Sequence, residues 1–135
     1  MRKMRRNVNA HSPRKPGQRR RTILCIDDDV VSSTLRQSVL QRAGYRVLAA
    51  ASGTHGLEIA KCRHVDLVLV DFEMPDMNGY AITGLLRGIP PKKRIVMLSG
   101  HESTATSGFR ELDGFIPKAT GVETFLASVA RRLRP

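Results

Sequence analysis

Four uninterrupted apolar tetrads constrain this chain more than any other feature: ILCI at 23–26, VLAA at 47–50, LVLV at 67–70 and IVML at 95–98. Runs of four without in-out alternation suit strands that are covered on both faces. A shorter run, Phe115-Ile116, follows them. The stretches between have helical period. Val31, Leu35, Val39 and Ala43 share one helical face. Gly53, Leu57 and Ala60 share a second, with Ser52 as its N-cap. Ile82, Leu85, Leu86 and Ile89 make a third, stopped by Pro90-Pro91. Val122, Phe125, Leu126, Val129 and Leu133 make the last. Residues 103–112 carry a weaker pattern, in which Gly108 interrupts Ala105, Phe109 and Leu112. Five repeats of strand then helix predict an α/β domain: a doubly wound parallel sheet with helices on both faces.

The charge is uneven. Residues 1–21 hold nine Lys or Arg and no acid, whereas the remainder holds 14 basic and 12 acidic residues. The first 21 residues have no apolar period and contain Pro13, Pro16 and Gly17, so they are expected to be a disordered basic tail ahead of a domain spanning 22–135. Such a tail is either a solvated extension or a weak nucleic-acid contact through phosphate charge. It has no aromatic residue to stack on bases. No apolar run approaches the roughly 20 residues of a membrane helix. The run at 23–26 is too short for a signal-peptide core, and three aspartates follow it. A cytoplasmic protein with no membrane partner is the expectation. Cys25 and Cys62 form no CxxC or Cys/His cluster, which leaves two idle thiols.

In a doubly wound sheet, ligands bind beyond the carboxyl ends of the strands, where the strand order reverses. Asp27, Asp28 and Asp29 follow the first run, Asp71 the third, Ser99 the fourth, and Pro117-Lys118 the fifth. A parallel sheet would gather these on one edge. Crowded carboxylates need a counter-charge, which a hard divalent cation such as Mg²⁺ supplies through oxygen ligands. Such a site suits phosphoryl transfer, with an aspartate as nucleophile. A lysine and a hydroxyl can then bind the phosphoryl oxygens. Taken singly, each residue is better read as a turn, a cap or a solvated charge; Asp29 in particular reads as a helix cap.

With these residues in place, the sequence resembles the receiver domain of two-component response regulators. The resemblance rests on Ile26-Asp27-Asp28-Asp29, on Asp71-Phe72-Glu73-Met74-Pro75-Asp76-Met77-Asn78-Gly79, on Leu98-Ser99-Gly100 and on Pro117-Lys118. It implies a (βα)5 flavodoxin-like fold with strand order 2-1-3-4-5. It implies that Asp71 accepts a phosphoryl group and that Mg²⁺ is held by Asp27, Asp28, Asp71 and the backbone carbonyl of Glu73. Ser99 and Lys118 would bind the phosphoryl group, and Phe115 would be the aromatic switch. Glu73 and His101, each two residues beyond a site residue, would tune dephosphorylation. The implied partners are a sensor histidine kinase or histidine phosphotransfer protein and a downstream effector protein. The role implied is that of a single-domain regulator rather than a turnover enzyme, since no output domain follows Leu133-Arg134-Pro135.

Two departures stand out. Ala119 follows Lys118 where the family usually has proline after a cis bond. A cis bond without proline costs about 3–4 kcal/mol, so the bond here is either trans or held under strain. The spacing from Ser99 to Lys118 is also short for the family, which together with the weak pattern of residues 103–112 predicts a truncated or mobile fourth helix.

Three other functions share parts of the pattern. A phosphorylation-independent interaction module would fit the fold, but the intact set of Asp27, Asp28, Asp71, Ser99 and Lys118 argues against it. A phosphatase with an aspartyl-phosphate intermediate would want an aspartate where Glu73 stands. Nucleic-acid binding through the tail is compatible with the receiver reading.

Overall fold

The computed structural model describes residues 19–75, 78–100 and 113–134. The elements in chain order are β1 (Thr22–Ile26), α1 (Val30–Arg42), β2 (Arg46–Ala50), α2 (Gly53–Cys62), β3 (Leu67–Asp71), α3 (Gly79–Arg87), β4 (Arg94–Ser99), β5 (Phe115–Pro117) and α4 (Val122–Arg132). All five strands are parallel, in the order β2-β1-β3-β4-β5. This is the expected doubly wound sheet. Residues 103–112, read as a short helix, lie outside the described residues, as do His101 and residues 1–18.

Alternate strand residues face opposite layers, because the strand repeat is two. Ile23, Cys25, Leu67 and Leu69 pack with Leu40 of α1 and with Phe125, Leu126 and Val129 of α4. Leu24, Ile26, Val68 and Val70 pack on the other face with Ala60 of α2 and with Ile82 and Leu86 of α3. Burying each large aliphatic side chain contributes about 1.5–3 kcal/mol. The central strands β1 and β3 are buried throughout. β2 is half-buried because it is an edge.

The starts of α1, α2 and α3 are set by side-chain caps, whereas α4 begins at Gly121 without one. Asp29 accepts from the amides of Val31 and Ser32, Ser52 from His55, and Asn78 from Ala81. The expected caps at Ser52 and Asp29 are therefore present. The third helix stops earlier than its period suggests: it ends at Arg87, with Gly88 as C-cap, before the two prolines. Leu85, placed on its apolar face, is exposed, as is Val122 of α4.

The face predicted for α1 is corrected in its first half: Ala43 is buried and Val39 packs against the core, but Val31 and Leu35 are 71% and 64% exposed, while Ser33 and Leu40 are buried. The helix is rotated so that its inward stripe runs Ser33, Arg36, Leu40, Ala43. After α1 the chain turns through Gly44 at φ 101°, with open space where a Cβ would stand. Only the backbone opposes a side chain there. Gly44→Ala is expected to lower stability by about 1–2 kcal/mol, read as a shift in the urea midpoint without loss of fold.

Candidate functional site

The order β2-β1-β3 reverses direction between β1 and β3, so the ends of those two strands flank the crevice. Asp27 and Asp28 lie just beyond β1, and Asp71 ends β3. One carboxylate oxygen from each of the three lies within 4.8 Å of the others. Asp27 and Asp71 are buried, while Asp28 is exposed. Lys118, in the turn after β5, puts its Nζ 2.6 Å from Asp71 Oδ1. Its backbone amide donates to the Ser99 carbonyl at 2.8 Å, which ties the lysine to the end of β4. Ser99 is buried and pairs in register with Pro117. The loop after Asp71 curls back, and the Glu73 amide donates to Asp71 Oδ1 at 3.1 Å.

The structure thus brings Asp27, Asp28, Asp71, the Glu73 main chain, Ser99 and Lys118 to one edge. Phe115 is half-buried at the start of β5, opposite Met97, and packs with the core on the α2 and α3 face. The Lys118-Ala119 bond is trans; among the described residues the cis bond is Pro90-Pro91.

One residue of the cluster escaped the sequence reading. Arg36 Nη1 lies 2.8 Å from Asp27 Oδ2, with side chains only 14% and 2% exposed. The other oxygen, Oδ1, accepts the Asp29 amide at 2.9 Å. Both oxygens of Asp27 are therefore engaged. The signal for Arg36 was present in its spacing: Ser33, Arg36, Leu40 and Ala43 follow the 3-4-3 rhythm of a helix face. It was hidden because half of that face is polar.

Burial pushes the Asp71 carboxyl above its ordinary range, and the Asp27 charge adds to this; Lys118 and the Glu73 amide oppose them without prevailing. Beneath the site, burial pushes the Cys25 thiol up to about 12. The three oxygen-bearing acids fit a hard divalent cation, since their mutual repulsion exceeds what one lysine and one arginine offset.

The raised Asp71 carboxyl predicts a pH dependence. A folded pKa above the unfolded value means that the native state holds its proton more tightly. The favourable contribution is complete below the unfolded value, about 3.9, and is lost as pH rises through the folded value. At neutral pH the ionised Asp71 therefore destabilises the metal-free fold. Asp71→Asn is expected to raise the urea midpoint in EDTA at pH 7, with the gain vanishing towards pH 4. An equal gain at both pH values would contradict this origin.

A family model described as the response regulator receiver domain matches residues 23–130. The autoinducer 1 sensor kinase/phosphatase LuxN of Vibrio campbellii is 40% identical over 92 residues, covering 68% of this chain and 10% of LuxN. The transcriptional regulatory protein ZraR of Escherichia coli O157:H7 is 34% identical over 85 residues, covering 63% of this chain and 19% of ZraR. The chain thus spans between a tenth and a fifth of the length of these relatives. The CheY-like receiver domain protein of Methanospirillum hungatei JF-1 superposes with a TM-score of 0.79 at 26% identity, covering 85% of this chain and 94% of that one. The matched span runs from the first strand into the last helix and takes in every residue described around Asp71, so the chain belongs to the response regulator receiver domain family.

Proposed function

We propose that the chain is a single-domain response regulator, a receiver body from residue 22 to 135 behind a basic tail, that accepts a phosphoryl group on Asp71. The observation that carries this reading is Lys118 Nζ at 2.6 Å from a carboxylate that shares its pocket with two further acids. An Asp71 oxygen attacks phosphorus on a phosphohistidine of a sensor histidine kinase or histidine phosphotransfer protein. The P–N bond breaks, and the imidazole leaves with its electron pair and takes up a proton. Mg²⁺ bound by Asp27, Asp28, Asp71 and the Glu73 carbonyl would neutralise the carboxylates and draw charge from the phosphoryl oxygens.

The chain's own residues do the rest. Lys118 moves from carboxylate to phosphoryl oxygen, and the Ser99 hydroxyl donates to another. Phe115 follows Ser99, giving two states that a downstream effector protein can distinguish. Glu73 and His101 set how fast water removes the phosphoryl group. The chain catalyses only its own phosphorylation and dephosphorylation and works in the cytoplasm, where a kinase phosphohistidine is formed. The complete donor set supports this above a phosphorylation-independent interaction module.

Incubation with Mg²⁺ and acetyl phosphate tests it by intact mass. One phosphate adduct is expected on the wild type and none on Asp71→Ala. An unmodified wild type, or an undiminished adduct on the variant, rejects the proposal.

A further inference from the structure

In a parallel sheet every strand starts at the same end, and every returning helix finishes there. This topology sorts the charges of the chain. Arg19, Arg20 and Arg21 lead into β1, Arg46 opens β2, and Lys92 and Arg94 lead into β4. Arg42 closes α1, Lys61 and Arg63 lie at the end of α2, and Arg131 is in the last turn of α4. The opposite end carries Asp27, Asp28, Asp29, Asp71 and Glu73.

Cations in a last helical turn complement the helix dipole. Strand starts have no comparable dipole, so Arg20, Arg46 and Lys92 need another reason. Internal pairing does not provide one. Among the described residues, the acids at these strand starts are Asp66 and Asp113. Asp66 already binds Arg19 at 3.0 Å, His64 at 3.0 Å and the Thr22 amide at 2.8 Å. Asp113 binds Arg87 at 2.6 Å and the Ile95 amide at 2.8 Å. Arg20, Arg46, Arg63 and Lys92 are exposed, with no carboxylate partner among the described residues.

The basic end is also concave. One groove of about 460 Å³ is lined by Arg20, Arg46, Arg63 and His64 among others. A second of about 460 Å³ includes His64 again, with Arg21, Lys92, Arg94 and Arg134, and with the already paired Asp66 and Asp113. Paired basic grooves fit a ridge of phosphates better than a flat headgroup layer. Peripheral membrane binding also wants an inserted apolar group; the exposed Val30, Val31 and Val122 open helices at the other end, and among the described residues the basic end offers one exposed large apolar side chain, Leu85 in the last turn of α3. Single strands are held by stacking on aromatic rings, but Tyr45, Phe72, Phe115 and Phe125 are buried or half-buried.

We propose that this basic end, centred on Arg46, Arg63 and Lys92, docks the phosphodiester backbone of duplex nucleic acid without reading its sequence. It is independent of the Asp71 reading. The two sites lie at opposite ends of strands about five residues long, some 15 Å apart, so both can be occupied together.

Fluorescence anisotropy of a labelled mixed-sequence DNA duplex tests the proposal with the full chain. Binding is expected at low salt, with log K falling linearly against log salt. Reversing three charges (Arg46→Glu, Arg63→Glu, Lys92→Glu) is expected to weaken binding at least about thirtyfold and to flatten the slope by about 2–3. The circular dichroism spectrum and melting temperature should stay near wild type. If the reversal impairs folding, glutamine at the three positions replaces it, with a loss of about tenfold expected. Deleting residues 1–18 should leave salt-dependent binding that the triple change then removes. The proposal is overturned if the full chain does not bind at low salt, if that deletion alone removes all binding, or if the triple change has no effect. It is equally overturned if anionic phosphatidylserine vesicles bind the chain and the duplex does not.

Discussion

Arg36→Met is expected to weaken the metal-free fold by about 3 kcal/mol and to raise Mg²⁺ affinity about tenfold or more. The two effects share one cause. The guanidinium neutralises a carboxylate that is almost wholly buried, so its loss leaves an uncompensated charge beside Asp28 and Asp71. The same guanidinium occupies an oxygen that a metal would use, and its positive charge opposes any cation brought into the cluster. Methionine keeps the apolar reach of the side chain and removes both influences. Isothermal titration with magnesium chloride and urea midpoints in EDTA measure the pair. A folded variant that binds Mg²⁺ no better than wild type would show that Arg36 does not compete at the site. This arginine therefore offers a way to set metal affinity without touching a carboxylate.

Lys118→Met is expected to slow phosphoryl transfer from acetyl phosphate to Asp71 by about 10²–10³-fold, the range for removing one preorganised electrostatic donor. The ammonium stands against the Asp71 carboxylate before any phosphoryl group arrives, and its side chain remains 30% exposed. It can therefore swing onto an incoming oxygen without being dragged from a sealed core. Its removal also takes away the positive charge that holds the Asp71 carboxyl down against burial. A variant that modifies at the wild-type rate, followed by intact mass over time, would remove Lys118 from the chemistry.

The sheet was legible because its strands are apolar on both faces, a pattern that survives any choice of helix orientation. The convergence of Asp27, Asp71, Ser99 and Lys118 followed from where those strands stop. What the sequence concealed was the rotation of α1. Val31 and Leu35 looked like core residues on spacing alone, yet burial depends on which side meets β1 and β2. The inward side lies over the acid cluster, where Ser33 and Arg36 are better suited than valine or leucine. Hydrophobic periodicity finds helices that cover apolar strands; it misreads a helix whose near end covers charge. Arg36 was missed for the same reason, since a basic residue in mid-helix resembles a solvated one until its carboxylate partner is placed. The end of α3 at Arg87 lies three residues before Pro90, with Gly88 as C-cap in an ordinary right-handed conformation.

The two cysteines are chemically unequal, and this gives the molecule a ready attachment point. Cys25 is sealed in the core with its thiol pushed up to about 12, so it presents almost no thiolate to a reagent. Cys62 is exposed and closes α2, at the end of the domain away from Asp71. A maleimide dye or spin label added to the native chain will therefore settle on Cys62 without any engineering. It will sit clear of the acid cluster and beside Arg63, where it can report what approaches the basic end.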